Sequence, residues 1–121
     1  MVGGEQKLAR GSTDALVPRD VLAYVTSAAL VTTYTFTGRI RHLMVTTDEQ
    51  NAITVTLPPV MEVAGQIYSV YLDVDGGADV TVTDAGDDAD FTDVTLDDAD
   101  DFCVIMSIGV RWVFLNKEEV A

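Results

Sequence analysis

The chain has 121 residues, 48% of them apolar, with twenty Asp/Glu against seven Lys/Arg and a formal net charge of −13. That length favours one domain able to bury a core, and that apolar content argues against disorder. The charge speaks against two partner classes: an acidic surface repels nucleic-acid phosphates, which call for clustered Lys/Arg, and it repels anionic membranes.

No apolar run approaches the roughly 20 residues of a membrane-spanning helix. The start, Met1-Val-Gly-Gly-Glu-Gln-Lys7, is polar and lacks the apolar centre of a secretory signal, so the expectation is synthesis and use in the cytoplasm or inside a particle. Cys103 is the sole cysteine, so an internal disulfide or a cysteine cluster for zinc or iron–sulfur is not expected. Valine occurs 18 times and threonine 14 times. Both are β-branched, pack well on pleated surfaces and lose rotamer freedom in helices, so strands are expected throughout.

Residues 1–19 hold Gly3, Gly4, Gly11, Ser12, Thr13 and Pro18 and few large apolar groups. They read as an extended N-terminal arm, with residues 20–121 as an acidic all-β domain. Such an arm reaches about 60 Å when fully extended. Residues 20–33 are ambiguous: Asp20 is a candidate helix cap with Val21, Leu22, Val25, Ala28 and Ala29 on one face, whereas the β-branched residues from Val25 to Thr33 favour a strand. The expectation is a brief helical or irregular start followed by a strand. In residues 52–57, Ile53, Val55 and Leu57 alternate with Ala52, Thr54 and Thr56 until Pro58-Pro59 stops the ladder. Residues 60–65 read as a turn or single helical turn closed by Gly65. Tyr68, Val70, Leu72 and Val74 share a strand face, and Asp75-Gly-Gly77 is a hairpin signal. Val80 and Val82 continue the pattern, and residues 84–88 turn again. Phe91, Val94 and Leu96 mark a shorter, irregular segment. The last two strands, around residues 102–108 and 110–115, are apolar on both faces, which suggests central strands or an oligomer interface. Short strands separated by turns indicate a small β-sandwich or a partly open barrel. No convincing internal repeat is visible.

Charge is uneven along the chain. Residues 1–41 carry five basic side chains against three acidic ones, a net of +2; residues 42–121 carry two against seventeen, a net of −15. Twelve aspartates fall between Asp73 and Asp101. Asp73-Val-Asp75-Gly-Gly-Ala-Asp79 superficially resembles a calcium loop, but its sixth and twelfth positions hold Ala78 and Asp84 rather than glycine and glutamate. Solvated turns are the simpler reading of these aspartates. A glycosidase pair needs a cleft and a fixed carboxylate separation that sequence does not supply. His42, the only histidine, is a candidate general base without a nucleophile or metal motif around it, and reads instead as a half-exposed strand residue. Cys103 reads as a buried thiol, and Trp112 as a core or interface residue. The excess of Asp over Lys fits a saline environment.

The run Ile53-Thr-Val-Thr-Leu-Pro-Pro59, then Gly65-Gln-Ile-Tyr68, resembles a β module of tailed-phage virion proteins. So do Val80-Thr-Val-Thr-Asp-Ala-Gly-Asp-Asp88, Phe91-Thr-Asp-Val-Thr-Leu-Asp97 and the closing Ser107-Ile-Gly-Val-Arg-Trp112. The resemblance covers about residues 50–115 and brings no catalytic residues and no cofactor. Among such proteins, a single small domain with an arm is most like a capsid decoration, or cement, protein. The resemblance implies a homo-oligomer, commonly a trimer, on the outer surface of the virion head, with the major capsid protein as partner and no nucleic acid or membrane partner. Lys7, Arg10, Arg19, Arg39 and Arg41 are the candidate capsid-binding residues, with the aspartate-rich loops turned to solvent. The alternatives are a tail fibre or spike component that binds a host surface or an adaptor, and a carbohydrate-active hydrolase.

Overall fold

The computed structural model describes residues 21–85 and 91–118, and within them the alternating stretches become nine strands. These are β1 (Leu22–Thr26), β2 (Thr33–Thr35), β3 (His42–Thr46), β4 (Ile53–Thr56), β5 (Ile67–Val74), β6 (Val80–Thr83), β7 (Val94–Leu96), β8 (Phe102–Ser107) and β9 (Trp112–Glu118). A 3₁₀ turn, Val60–Glu62, follows Pro58-Pro59, and Gly65 at φ +86° ends that connection as the sequence suggested. The expectations placed on residues 1–20, including the arm and the Asp20 cap, lie outside the described residues.

The strands form two mixed sheets, ordered β9-β8-β5-β3-β1 and β2-β4-β6-β7. The fold is all-β, a small open β-sandwich and not a closed barrel. Successive strands from β1 to β6 switch sheets each time, so neighbours within a sheet come out parallel. A parallel pair needs a crossover, usually a helix; here the strand of the opposite sheet is the crossover. The chain is therefore wound in coils: Leu22 pairs with His42 and His42 with Ser69, while Thr33 pairs with Thr54 and Thr54 with Thr81. The coils differ in length, so the Thr-x-Thr they share (Thr33–Thr35, Thr54–Thr56, Thr81–Thr83) recurs at unequal spacing and does not read as a repeat. Three antiparallel pairs, β6–β7, β5–β8 and β8–β9, end the winding.

Inward residues of both sheets make one core. Leu43, Val45, Val70, Leu72, Cys103 and Ile105 from the first sheet meet Ile53, Val55, Val80, Val82, Val94 and Leu96 from the second, all at most 2% exposed. Cys103 is a buried thiol, and Trp112 is a core residue.

Three expectations change. Residues 22–26 form a strand from their start, because β1 gains a full parallel ladder along β3, which outweighs the weak helical pattern. Asp75-Gly-Gly77 is not a hairpin: it carries the chain from β5 in one sheet to β6 in the other. Gly76 is required for contact rather than for turn type, since a Cβ there would collide with the backbone of Thr47 and Asp48. Finally, β8 is an interior strand but β9 is a sheet edge. Of β9, only Trp112 is buried.

Candidate functional site

Because β1, β3 and β5 run in parallel, the connections that follow them gather at one end of the sandwich, together with the turn before β8. That end holds Asp48, Glu49, Asp73, Asp75, Asp79, Asp97, Asp98, Asp100 and Asp101, with Lys117 and Glu118 on the strand running toward it. Ten of the thirteen described acids therefore sit there, against one cation. The opposite end collects the β2–β3 connection, the 3₁₀ turn and the β8–β9 turn. Arg39, Arg41 and Arg111, the three described arginines, are all on this end, balanced by Glu62, Asp84 and Asp93. The described body is thus strongly asymmetric in charge, net −9 at one end and zero at the other. Sequence reasoning singled out Arg39 and Arg41 but missed Arg111, which joins them only through the hairpin.

The chain preceding Val21 joins the domain at this same end. Val21 offers its carbonyl to the N–H groups of both Arg41 (2.9 Å) and His42 (3.0 Å). The segment carrying Lys7, Arg10 and Arg19 is therefore attached beside Arg41, while those three residues themselves lie outside the described part.

A groove of about 400 Å³ opens at the arginine end, lined by Phe36, Gly38, Pro58, Pro59, Val63 and Tyr68 among others. Behind it Tyr34, Phe36, Tyr68 and Trp112 form a chain of edge-to-face rings at centroid distances of 5.5, 5.1 and 5.7 Å. Offset edge-to-face contacts are the favoured arrangement of aromatic quadrupoles and stiffen the groove wall. Burial pushes the Tyr68 hydroxyl above its ordinary pKa, and the Arg41 charge opposes that shift.

The closing Ser107-Ile-Gly-Val-Arg-Trp112 segment pins this end together. Ser107 is fully buried; its hydroxyl donates to the Val60 carbonyl (2.6 Å) and accepts from Gly109 N–H (3.1 Å). Gly109 takes φ +91°, which lets the turn bring Trp112 opposite Ser107. The Ser107 carbonyl also accepts from Gly65, tying the hairpin to the connection after the 3₁₀ turn. The motif's residues thus build the scaffold of the arginine end rather than a reactive centre.

His42 sits on the outer face of β3, with Nδ1 2.7 Å from Ser69 Oγ on β5. Desolvation, then the Arg41 charge, lowers its pKa below 6.5. A serine hydroxyl on an imidazole has the form of a nucleophile–base pair. Here both residues lie on the face of a sheet, and their backbone N–H groups are engaged by Val21 and Arg41 carbonyls, so they offer no donors to a developing oxyanion. The groove lies elsewhere. The contact acts as a cross-strand hydrogen bond.

At the acidic end, Asp97, Asp98 and Asp101 bring carboxylate oxygens within 4.8 Å of one another. Asp101 is not a solvated turn residue, as the sequence suggested, but is 1% exposed. Its Oδ2 accepts the N–H groups of Asp97 and Asp98 (both 3.1 Å) and so caps the turn before β8. Asp100 adopts φ +74°, a conformation aspartate tolerates better than most, and its carboxylate accepts from the Tyr71 hydroxyl. Desolvation, then its contact with Asp101, pushes the Asp97 carboxyl above the usual range. Asp48 is held below it by hydrogen bonds from Asn51 and Gln50. Asp48 and Asp101 are explained by the turns they build, whereas Asp97 Oδ1 is buried without a hydrogen-bond partner.

No family model matches the chain, and neither a curated protein nor a solved structure similar to it is found.

Proposed function

We propose that the chain is a virion structural protein that decorates the outer surface of a tailed-phage head and bridges neighbouring capsid subunits. The observation that carries this reading is that all three described arginines of a molecule with net charge −13 gather at one end. Arg39, Arg41 and Arg111 stand together there, and the segment with Lys7, Arg10 and Arg19 joins the domain beside them. A decoration protein needs one end to dock and the rest to stay solvated. The aspartate-rich opposite end repels other acidic surfaces and keeps the bound molecule oriented outward. The stiff, hydrogen-bonded groove end supplies a firm base for such contacts, and many copies then add modest interfaces by avidity.

The direct test is to count copies per purified virion and locate them by imaging. Many copies arranged symmetrically over the head support the proposal; a few copies on the tail, or none on the particle, overturn it. Deleting residues 2–18, or the double change Arg39→Glu with Arg41→Glu, is expected to weaken capsid binding by about tenfold or more. Undiminished binding of both variants would remove the arginine end from the mechanism.

A further inference from the structure

The outer face of the five-stranded sheet is built to be covered. Tyr24, Met44, Tyr71 and Phe102 align across four of its strands, and Leu22, His42, Ser69 and Val104 form the next row. Met106 and Val113 pair in the row beyond. Tyr24 is 73% exposed and Ile67 40%, and no described residue lies over them. Strand β8 is thus apolar on both faces, as in sheets that are covered on both sides. The outer face of the four-stranded sheet is the internal control: its rows are Thr33-Thr54-Thr81-Thr95 and Thr35-Thr56-Thr83. One chain therefore makes one face for water and one that is not for water.

We infer that this apolar face pairs with the same face of a second copy, the two sheets packed face to face with their strands antiparallel. Charge selects the orientation. Antiparallel packing lays the acidic end of each copy over the arginine end of the other, whereas parallel packing would stack ten described acids on ten. The acids at this face, Asp73, Glu118 and the Asp100 carboxylate that accepts from Tyr71, all lie at one margin. An arrangement in which the same patch meets itself is two-fold, and its axis passes near Ser69 and Tyr71 on the central strand β5. Five strands about 4.8 Å apart and some six residues long cover on the order of 450 Å² per copy. Two copies together bury about 900–1,000 Å², close to the lower bound for a specific interface. The pairing is accordingly concentration-dependent, with a Kd on the order of 10–100 µM. It does not depend on what the arginine end binds, so it stands or falls separately from head decoration.

Sedimentation equilibrium of the full chain over about 1–500 µM tests it. The mass is expected to rise from 13.0 kDa toward twice that value. Val104→Lys and, as a variant at an exposed site that leaves the core untouched, Tyr24→Lys are each expected to weaken pairing at least tenfold, although each lowers the net negative charge. Thr54→Lys on the opposite face is expected to change it less than twofold. Ser69→Cys is expected to be joined to its copy by a bifunctional maleimide spanning about 10 Å, because it lies beside the axis between the two facing sheets, while Thr54→Cys is not; the native Cys103 is buried and silent. A chain that stays at 13.0 kDa throughout overturns the inference. So does a three-copy mass, equal cross-linking of the two cysteine variants, or a full chain that pairs only after residues 2–18 are removed, since its own N-terminal segment would then be the cover.

Discussion

The two sheets have equivalent inner faces and opposite outer ones. Inside, each contributes valine, leucine and isoleucine at every second position. Outside, the four-stranded sheet presents threonine on every strand, and the five-stranded sheet presents Tyr24, Met44, Tyr71, Phe102 and Val104. Threonine keeps the β-branched shape that suits a pleated surface and turns a hydroxyl to water, so the threonine face is folded without being sticky. The apolar face has the same geometry, and its central polar side chains, His42 and Ser69, are hydrogen-bonded to each other. The difference teaches that strand formation and surface chemistry are set separately: inner positions determine the fold, and outer positions determine what the fold meets.

The sharpest way to break that separation is along β8, where neighbouring residues point to opposite sides. Ile105→Ala removes a fully buried side chain and is expected to cost about 2–5 kcal/mol, read from the urea midpoint. Val104→Ala, one residue away on the outer face, is expected to cost about 1 kcal/mol or less at concentrations where copies are apart. Equal costs for the two would mean that the outer face is already covered within a single chain.

A second contrast lies within the acidic end. Asp101→Ala strips the acceptor from two backbone N–H groups in a buried turn and is expected to destabilise by about 1–3 kcal/mol. Asp101→Asn keeps one acceptor oxygen and is expected to lose less. Asp98→Ala, at an exposed position in the same run, is expected to stay within about 0.5 kcal/mol of the wild type. If the two alanine variants fall together, the turn is not held by the buried carboxylate. On the solvated face, Thr54→Val is expected to change stability by no more than about 0.5 kcal/mol.

Much of this was legible in the residues because period-2 alternation reports inward positions directly. Ile53, Val55, Leu57, Tyr68, Val70 and Leu72 share inward faces and are buried, but Val74, expected on the same face as Leu72, is 51% exposed beyond the register shift that pairs it with Thr46. Sheet membership was not legible, since Asp75-Gly-Gly77 has the same local chemistry whether the next strand folds back or crosses to the other sheet. The close approach that requires Gly76 comes from Thr47 and Asp48, nearly thirty residues earlier. Of the arginine end, Arg39 and Arg41 were found by counting charge along the chain. Arg111 was missed because its partners are brought to it only by the hairpin. The buried role of Asp101 was hidden among neighbours of identical composition.

The smallest expected effect is titration on the apolar face, where His42 is the one group that ionises near neutrality. Its pKa in the folded chain lies below 6.5, first because of desolvation and then because of Arg41, so protonation is harder folded than unfolded. The unfolded chain therefore binds more protons in this window, and stability falls as pH drops through 6.5 toward the lower folded value, where the loss is complete. Asp97 has the opposite sign: its folded pKa lies above 3.8, so stability is regained as pH falls through that raised value toward 3.8. His42→Asn is expected to flatten the slope of urea midpoint against pH between about 7.5 and 5 while leaving the more acidic limb unchanged. Asp97→Asn is expected to do the reverse. If His42→Asn leaves the upper slope intact, the imidazole is as well solvated folded as unfolded, and the face around it is wetter than its neighbours Met44, Tyr71 and Val104 imply.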